Sequence, residues 1–554
     1  MDAAEAIVQS LDDAGIEYVF GLPGSVIMNV IDKFHESNVE FVSTRHEQVA
    51  TSMADGYARV TGRPGVTLVH VGPGAANQVV GLGAAYRDAS PIVAIAGNED
   101  LERLGRDIWH EWDVENVLDP ITKWTGQVRR GDDAARIVRT GLVKSVSETP
   151  GPVFIDLPKD VSREKSTYSD AQRSFYDHNE LSVPFSRPEP HSADVECTLH
   201  LLEDATKPLV LAGGGCVRSG SGDALKTFVE NTGIPVVTSN SGRGILDETS
   251  SWSLGVVGRR GSDGANEALG QADLVLGIGA RFSGLTTSNW TRPDPETTLV
   301  QVDIDSAELA SQYPVECPVT ADARAFLESI TDRAGNIDLS WEEEVISEYR
   351  DRVRTERAAF FAYETDAESI GPQRLFATIL EEKDDDAIVT QGGGVHASFN
   401  ARQPAADPHS HLHAISFGGM GYGFPFALGA KLGAPDRQVI CVEGDGGFSM
   451  VMQDLETAVR YDIDVKIVVY NNFSHGTQKL RQARLFDERY LGTDVENPSF
   501  AGVADQFGMY GATVSDPSEL RPALGEVLDH DGPALLDVLV DPTVWPSTDD
   551  IAQI

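Results

Sequence analysis

The sequence is poor in cysteine and has no long hydrophobic run. Its four cysteines, Cys197, Cys216, Cys317 and Cys441, are far apart and form no CxxC pair. This spacing argues against a zinc site or a disulfide framework and favours buried, small apolar side chains. No apolar run approaches the roughly 20 residues that cross a bilayer. The N-terminal stretch MDAAEAIVQSLDDAG is acidic and amphipathic, unlike a secretory or transit peptide, so we expect a cytoplasmic protein with no membrane partner.

Basic residues are also scarce. Lysine and arginine total 44 against 86 aspartates and glutamates, which gives a net charge of −42. The acids are spread along the chain, so the phosphates of a nucleic acid would be repelled and nucleic acid is excluded as a partner. Such an acidic surface is typical of proteins from halophiles, which stay soluble in molar salt. We expect a halophilic protein; an acidic mesophilic enzyme is the alternative.

The length of 554 residues predicts roughly three domains. Apolar strand-like runs alternate with helix-period stretches and glycine-rich junctions, a pattern that predicts α/β domains with doubly wound parallel sheets. We predict three of them, at residues 1–165, 190–336 and 371–545. A polar linker up to about residue 190 joins the first two, and a charged helix within 340–370 joins the last two.

The strongest local motif is Gly444-Asp445-Gly446, followed after 24 intervening residues by Asn471-Asn472. Apolar runs at 439–442 and 465–470 predict parallel strands that end at these residues. Ligands bind at such strand ends. A carboxylate and an amide oxygen beside a glycine turn suit Mg²⁺ with a phosphate. GDG alone is more often an ordinary turn, but its spacing and flanking strands favour the magnesium site.

Glu47 follows a predicted strand at 41–43 and should lie at the carboxyl edge of the first sheet. It could simply be an acid in the first turn of a helix. However, GLPGS, RHEQVA, DGYARVTGRPG, GPGAAN and YRDASPIVAIAGN, in this order, resemble the pyrimidine-binding domain of the acetohydroxyacid synthase family of thiamine diphosphate enzymes. The resemblance implies that Glu47 is the catalytic residue, which hydrogen-bonds N1′ of the cofactor's aminopyrimidine and so promotes proton removal from the thiazolium carbon.

The stretch GGMGYGFP at 418–425 resembles the family segment whose methionine wedges beneath the cofactor, here Met420. The resemblance also implies that Mg²⁺ is held by the side chains of Asp445 and Asn472 and by the backbone carbonyl of Ser474. His396 could contact a phosphate or simply cap a helix, whereas Gly394 and Val395 replace polar residues that touch the diphosphate in the family. The expected cofactor-binding residues are Pro23, Asn77, His396, Gly418, Met420, Gly444, Gly446, Gly447, Asn472 and Gly476.

The middle of the chain resembles the family's central domain through LAGGG, SLGVVGRRG, ADLVLGIGARF and VQVDID. In the acetohydroxyacid synthases this domain binds FAD, which has no redox role in joining the two substrates. Arg281 of the GARF motif is retained, but Ser283-Gly284 replaces the acidic pair that follows it. Thr149 stands where those synthases usually have an arginine that contacts FAD. FAD is therefore an open expectation.

The resemblance covers nearly the whole chain. It implies an acetolactate synthase-like enzyme, dependent on thiamine diphosphate and Mg²⁺, which decarboxylates a 2-oxoacid (pyruvate) and joins the resulting enamine to a second 2-oxoacid, as in branched-chain amino acid biosynthesis. In the family the cofactor lies between the first domain of one subunit and the third domain of another. We therefore expect a homodimer or homotetramer, with a small regulatory subunit as a further candidate partner.

The expected substrate pocket departs from the synthase pattern and comprises Ser25, His70, His110, Thr477 and Arg481. Ser25 and His70 are similar to the serine and histidine of the benzoylformate decarboxylase branch, although His70 could be a satisfied buried histidine. Lys479 and Arg481 could bind an anionic substrate group or make surface ion pairs. A 2-oxoacid decarboxylase or lyase is thus the alternative. A non-catalytic cofactor-binding homologue is a third hypothesis, and the retention of Glu47, Asp445 and Asn472 argues against it.

The charge of −42 predicts a strong dependence of stability on salt. At about 1 M salt the Debye length falls to about 3 Å, which screens the repulsion between surface carboxylates. We expect the protein to unfold or dissociate in dilute buffer and to be stable in molar KCl. Thermal unfolding at the two salt concentrations checks this expectation, and equal midpoints would contradict it.

Overall fold

The computed structural model describes residues 1–546 except 336, 338–340, 342, 364–366 and 415. The predicted end of the central domain at residue 336 and parts of the predicted connecting segment lie outside the described residues. Within them, no helix is both long enough and apolar enough to cross a membrane.

The first domain contains a six-stranded sheet whose paired strands are all parallel. Its strands are β1 (Tyr18–Gly21), β2 (Glu40–Ser43), β3 (Gly65–Val69), β4 (Ile92–Asn98), β5 (Trp124–Gln127) and β6 (Val153–Pro158). Its helices are α1 (Ala3–Asp13), α2 (Met28–Lys33), α3 (Glu47–Thr61), α4 (Pro73–Asn77), α5 (Val79–Asp88), α6 (Val114–Leu118) and α7 (Ala134–Val146). The strand order is β2-β1-β3-β4-β6-β5. The central strands are fully buried because helices cover both faces of the sheet.

The polar segment after residue 165 contains a helix that the sequence analysis did not predict, α8 (Asp170–His178). A capping box formed by Ser169 and Gln172 starts this helix. Tyr176 then contacts the hydroxyl of Ser10 at 2.7 Å. The aromatic side chains of α8 supply the apolar contact that holds the segment against the first domain.

The central domain repeats the architecture. Its strands are β7 (Pro208–Ala212), β8 (Val236–Thr238), β9 (Ser253–Val256), β10 (Leu274–Ile278), β11 (Thr298–Asp303) and β12 (Cys317–Thr320). Its helices are α9 (Ser192–Asp204), α10 (Gly214–Ser219), α11 (Gly222–Thr232), α12 (Asp263–Gln271) and α13 (Ala323–Ala334). The strand order is β12-β11-β10-β7-β8-β9. The predicted connecting helix is present as α14 (Glu343–Phe360).

The third domain holds the GDG motif. Its strands are β13 (Ile388–Gln391), β14 (His411–His413), β15 (Val439–Gly444), β16 (Lys466–Asn471), β17 (Tyr510–Val514) and β18 (Ala534–Leu539). Its helices are α15 (Pro372–Glu382), α16 (His396–Asn400), α17 (Gly423–Gly433), α18 (Asp445–Phe448), α19 (Leu455–Arg460), α20 (Gly476–Leu485), α21 (Phe500–Gln506) and α22 (Leu520–Leu528). The strand order is β14-β13-β15-β16-β18-β17. Three doubly wound parallel sheets are thus confirmed.

Each sheet has a switch point at which the strand order reverses: between β1 and β3, between β7 and β10, and between β13 and β15. At such a switch point the connections leave in opposite directions and open a crevice at the carboxyl ends of the strands, where ligands bind. All three crevices carry glycine-rich turns: Gly21 to Gly24 and Gly72 to Gly74, Gly213 to Gly215, and Gly392 to Gly394 with Gly444 to Gly447.

The first and third domains share one hydrophobic core through helices α3 and α17. A Cβ atom at Gly56 would lie 2.1 Å from the carbonyl oxygen of Phe426, and one at Gly429 would lie 1.8 Å from that of Met53. Any larger side chain would force these backbones apart. Beside this contact the buried Tyr422 hydroxyl donates to Asp55 at 2.5 Å.

Gly429→Ala is therefore expected to destabilise the protein, by about 1–3 kcal/mol for an overpacked core. Gly525→Ala is the matched control, because an added Cβ in this position of α22 meets nothing within 4 Å and alanine favours a helix over glycine by about 1 kcal/mol. Calorimetry should show a lower thermal midpoint for Gly429→Ala and an equal or higher one for Gly525→Ala. Equal shifts in the two variants would contradict the close contact.

Candidate active site

Glu47 is the first residue of α3, directly after β2 and beside the switch point of the first sheet. The helix begins here because the side chain of His46 accepts the backbone N–H of Gln48. Glu47 is 7% exposed. Its Oε2 accepts a hydrogen bond from Asn77 Nδ2 at 2.9 Å, so Asn77 orients the carboxylate. A Cβ at Gly74 would lie 3.2 Å from Oε1, so the glycine leaves the second oxygen uncovered by a side chain.

Three predicted pocket residues gather beside Glu47. His70 Nδ1 lies 3.0 Å from the carbonyl oxygen of Val71, and its Nε2 lies 3.2 Å from Ser25 Oγ. Nδ1–H therefore donates to the carbonyl, and in the neutral imidazole Nε2 accepts from the serine hydroxyl. The ring of His110 meets that of His70 edge-on, with centroids 5.1 Å apart. Pro23 is exposed in the turn after β1.

The GDG motif borders a second region, a cavity of about 280 Å³ at the switch point of the third sheet. Most predicted cofactor and metal residues line it: His396, Gly418, Met420, Gly444, Asp445, Gly446, Gly447, Asn472, Ser474, Gly476 and the expected substrate residue Thr477. The turns approach one another closely, since a Cβ at Gly476 would lie 2.7 Å from Val395 Cγ1.

The oxygen donors expected for Mg²⁺ are buried together in this cavity. Asp445 is 2% and Asn472 3% exposed. Burial raises the pKa of Asp445, which is opposed by a hydrogen bond from Asn497 Nδ2 to its Oδ2 at 2.7 Å. Asn497 also donates to Asn471 Oδ1 at 3.0 Å, so it ties the two strand ends together. A carboxylate, an amide oxygen and a backbone carbonyl fit a hard cation such as Mg²⁺.

His396 begins α16 at the base of the cavity and is 1% exposed. Burial, together with the charge of Arg260, lowers its pKa to about 4. Its Nε2 has no partner among the described residues. His396 is therefore neutral at pH 7 and can offer a hydrogen bond to a ligand but no positive charge.

Glu443 holds the Met420 segment from below. It is fully buried, and its Oε2 accepts the backbone N–H of Gly423 at 2.7 Å. Burial raises the pKa of Glu443 to about 8, although the backbone N–H groups of Gly423, Phe424 and Gly421 oppose that rise. A Cβ at Gly392 would lie 1.8 Å from its Oε1. The side chain of Glu443 thus holds the start of α17, shortly after Met420, against the glycine turn that follows β13.

The two sets of predicted residues do not meet within the chain. Among the described residues that line the third-domain cavity, none belongs to residues 1–165. Glu47, Ser25, His70 and His110 lie on the first domain instead. Arg481 lies in α20 and does not line the cavity. The pKa of Arg259 in the central domain is lowered first by the burial of Arg259 and then by the charge of Arg481.

A third cavity, of about 320 Å³, lies where the three domains meet, beside the switch point of the central sheet. Several buried polar atoms in its lining have no partner among the described residues: Ser90 Oγ, Asp88 Oδ1, both amide atoms of Asn240, His411 Nδ1 and both ring nitrogens of His413. Arg218 also lines it, and burial and the charge of Arg281 lower its pKa to about 10. A narrow recess of about 50 Å³ contains Thr149, Arg281 and Asp303. The cavity suits a polar, anionic ligand.

The sequence analysis did not single out three side chains that lie at the candidate site. Asn497 belongs to no motif. Glu443 directly precedes the GDG motif, and an acidic residue in an otherwise apolar strand was the available signal. Arg260 lies within the matched SLGVVGRRG stretch. A polar residue in an otherwise apolar strand indicates a special role, but the partner cannot be read from spacing.

The fold, the residues around Glu47 and the cavity at the GDG motif indicate a thiamine-dependent enzyme, and comparison with known proteins agrees. Residues 1–117 match the family model of the N-terminal TPP binding domain of thiamine pyrophosphate enzymes, 195–330 match the central domain, and 392–538 match the C-terminal TPP binding domain. Thiamine pyrophosphate is thiamine diphosphate. The chain belongs to this family.

Within the family the chain is similar to acetolactate synthase large subunits. It is 33% identical to the acetolactate synthase isozyme 3 large subunit of Escherichia coli, over 98% of this chain and 95% of the relative. It is 34% identical to the acetolactate synthase large subunit of Corynebacterium glutamicum, over 99% and 88%. It is 31% identical to the probable acetolactate synthase large subunit of Methanocaldococcus jannaschii, over 98% and 92%. The expectation of a thiamine diphosphate-dependent carboligase is confirmed.

Proposed function

We propose that the chain is the catalytic subunit of an acetolactate synthase-like enzyme, which decarboxylates pyruvate and joins the remaining two-carbon unit to a second 2-oxoacid. The observation that carries the proposal is the division of the predicted residues into two half-sites. Glu47 with Asn77 forms one, and Met420 with Asp445 and Asn472 forms the other. Full-length similarity to acetolactate synthase large subunits supports the same substrate class.

Thiamine diphosphate would supply a thiazolium carbon that attacks the keto carbon and takes up the electrons released with CO₂. The chain's own residues prepare that chemistry. Asn77 orients the carboxylate of Glu47, which would exchange a proton with the aminopyrimidine of a bound cofactor. Met420, which lines the cavity, would contact the cofactor, and Glu443 fixes the backbone that follows Met420. Asp445, Asn472 and the Ser474 carbonyl would hold Mg²⁺ against the diphosphate.

A second copy of the chain completes the site in this proposal. Glu47 does not line the cavity of its own chain, whereas the resemblance places the cofactor between the first and third domains of different subunits. Exposed apolar side chains support an interface near the cavity: Phe417, Met450 and Phe473 are 47%, 55% and 41% exposed. The large-subunit names of the relatives add a small regulatory subunit as a further candidate partner.

FAD is proposed as the occupant of the cavity between the three domains. Its unpartnered polar atoms and the buried Arg218 support an anionic, polar ligand, and Asp303 at the end of β11 suits a ribose. Three residues argue against FAD because they differ from the residues that the family usually has at these positions: Thr149, Ser283 and Gly284. This part of the proposal is tested by denaturing the purified protein and measuring the flavin that it releases. The absence of flavin would reject FAD.

The pair formed by Ser25 and His70 favours a second candidate, a 2-oxoacid decarboxylase. The hydrogen-bonded pair lies beside Glu47 and could supply a proton to the reacting carbon. In a carboligase, that carbon would instead be joined to an acceptor substrate. The two candidates share every step up to the loss of CO₂ and differ in whether the remaining unit is protonated or joined to a second carbonyl.

The product from pyruvate separates the candidates. In molar KCl with thiamine diphosphate and Mg²⁺, we expect acetolactate and CO₂, because the second carbonyl outcompetes protonation in a carboligase. Benzoylformate is supplied in a parallel assay. Aldehyde without acetolactate would favour the decarboxylase, and Glu47→Gln serves as the inactive control in both assays.

A mixture of two inactive variants tests the shared site. Co-expressed Glu47→Gln and Asp445→Asn chains should form hybrid dimers in which one site receives both changes and the other neither. With random pairing, about a quarter of the parent activity is expected. Each variant expressed alone is the control. No recovery in the co-expressed sample would show that Glu47 and Asp445 of the same chain act together.

A further inference from the structure

Arg260 is the central domain's contribution to the cavity at the GDG motif. It lies in the turn between β9 and α12, whereas every other described residue that lines this cavity comes from the third domain. Its neighbours in the lining include Gly394, His396 and Gly444, at the ends of β13 and β15. Among the described lining residues, Arg260 is the one with a permanent positive charge.

The turn that carries Arg260 is firmly built. Gly258 has a φ of +92°, and a Cβ on it would lie 2.1 Å from the carbonyl oxygen of Leu285. Asn266 accepts the Gly258 N–H at 2.7 Å and donates to its carbonyl at 3.0 Å. The backbone N–H of Arg259 donates to Leu285 at 3.0 Å. These contacts fix the backbone immediately before Arg260, so the fold sets the position from which its side chain extends.

No other side chain in the described lining of the cavity carries a permanent positive charge that would compensate an anion. His396 is neutral at pH 7, and Asp445 offers no positive charge in either protonation state. A diphosphate carries more negative charge than one Mg²⁺ neutralises, so a buried site for it needs further donors or cations. Gly394 and Val395 offer none through their side chains, although polar residues occupy these positions in the resembled family.

We propose that Arg260 binds the diphosphate of the cofactor and replaces the polar contacts missing at residues 394 and 395. This inference rests on the proposed function, which puts the cofactor in this cavity. A guanidinium presents several N–H donors in a planar fork that matches phosphate oxygens, and such charge-assisted hydrogen bonds are the strong ones. Arg260 would thus make the central domain part of the cofactor site.

Arg260→Met tests the proposal through binding rather than turnover. Apoprotein is titrated with thiamine diphosphate, and separately with thiamine, at fixed Mg²⁺, and the Kd is read from intrinsic fluorescence. The variant should raise the Kd for thiamine diphosphate about tenfold or more and leave that for thiamine unchanged. Arg260→Lys keeps the charge and should recover much of the affinity. Arg259→Met removes the same charge one residue away and should bind the cofactor as the parent does.

Three results would overturn the assignment. Unchanged affinity for thiamine diphosphate in Arg260→Met would show that the guanidinium does not touch it. An equal loss for thiamine and thiamine diphosphate would show that Arg260 only supports the fold. Unchanged cofactor affinity with a raised KM for the 2-oxoacid would assign Arg260 to the substrate. A parent protein that binds no thiamine diphosphate would overturn the proposed function as well, whereas a binding parent with an indifferent variant overturns this inference alone.

Discussion

The close backbone contact between α3 and α17 is the constraint on which the arrangement of the chain depends. At Gly56 and Gly429 the two helices are so near that a single added carbon would meet a carbonyl oxygen. The contact merges the cores of the first and third domains and continues into a buried polar group, in which Arg59 pairs with Asp55 at 2.9 Å and with Asp88 at 3.1 Å. It also brings the β2–α3 junction against α19, where Arg45 meets Glu456 at 2.9 Å. Glu47 is thereby fixed in the first domain, outside the lining of the cavity at the GDG motif of the same chain.

One architecture is used three times, and the chemistry of each copy is set by the residues just beyond the carboxyl ends of its strands. The crevice of the first sheet presents a carboxylate and a hydroxyl–imidazole pair. The crevice of the third sheet presents a carboxylic acid and an amide among glycine turns. That of the central sheet presents arginine and unpartnered polar atoms. The central domain also contributes Arg260 to the lining of the third-domain cavity.

The sequence predicted those parts of the fold and site that depend on local pattern. The apolar runs before Asp445 and before Asn471 became β15 and β16, and the spacing between them matched the βαβ connection. The short strand β14, with the sequence HLH, was missed because its two histidines are buried and it therefore shows neither an apolar run nor a polar–apolar alternation that follows burial. Asn497 and Glu443 were missed for a related reason: their roles depend on hydrogen bonds to partners distant in sequence or on backbone geometry, which no spacing reveals. The helix α8 was not predicted because most of its residues are polar, so the aromatic residues that pack it against the first domain did not stand out in the sequence.

The shared core also has a consequence during synthesis of the chain. Asp55 of α3 and its partner Tyr422 beside α17 are separated by 367 residues. At the usual elongation rate of about 5–20 residues per second, the inner face of α3 emerges from the ribosome roughly 20 to 70 s before its partner exists. The apolar surface around Met53 and Gly56, together with the carboxylate of Asp55, must wait exposed for that time. The first domain therefore cannot complete its core while it is the only domain that has been made, and that step waits for the synthesis of α17.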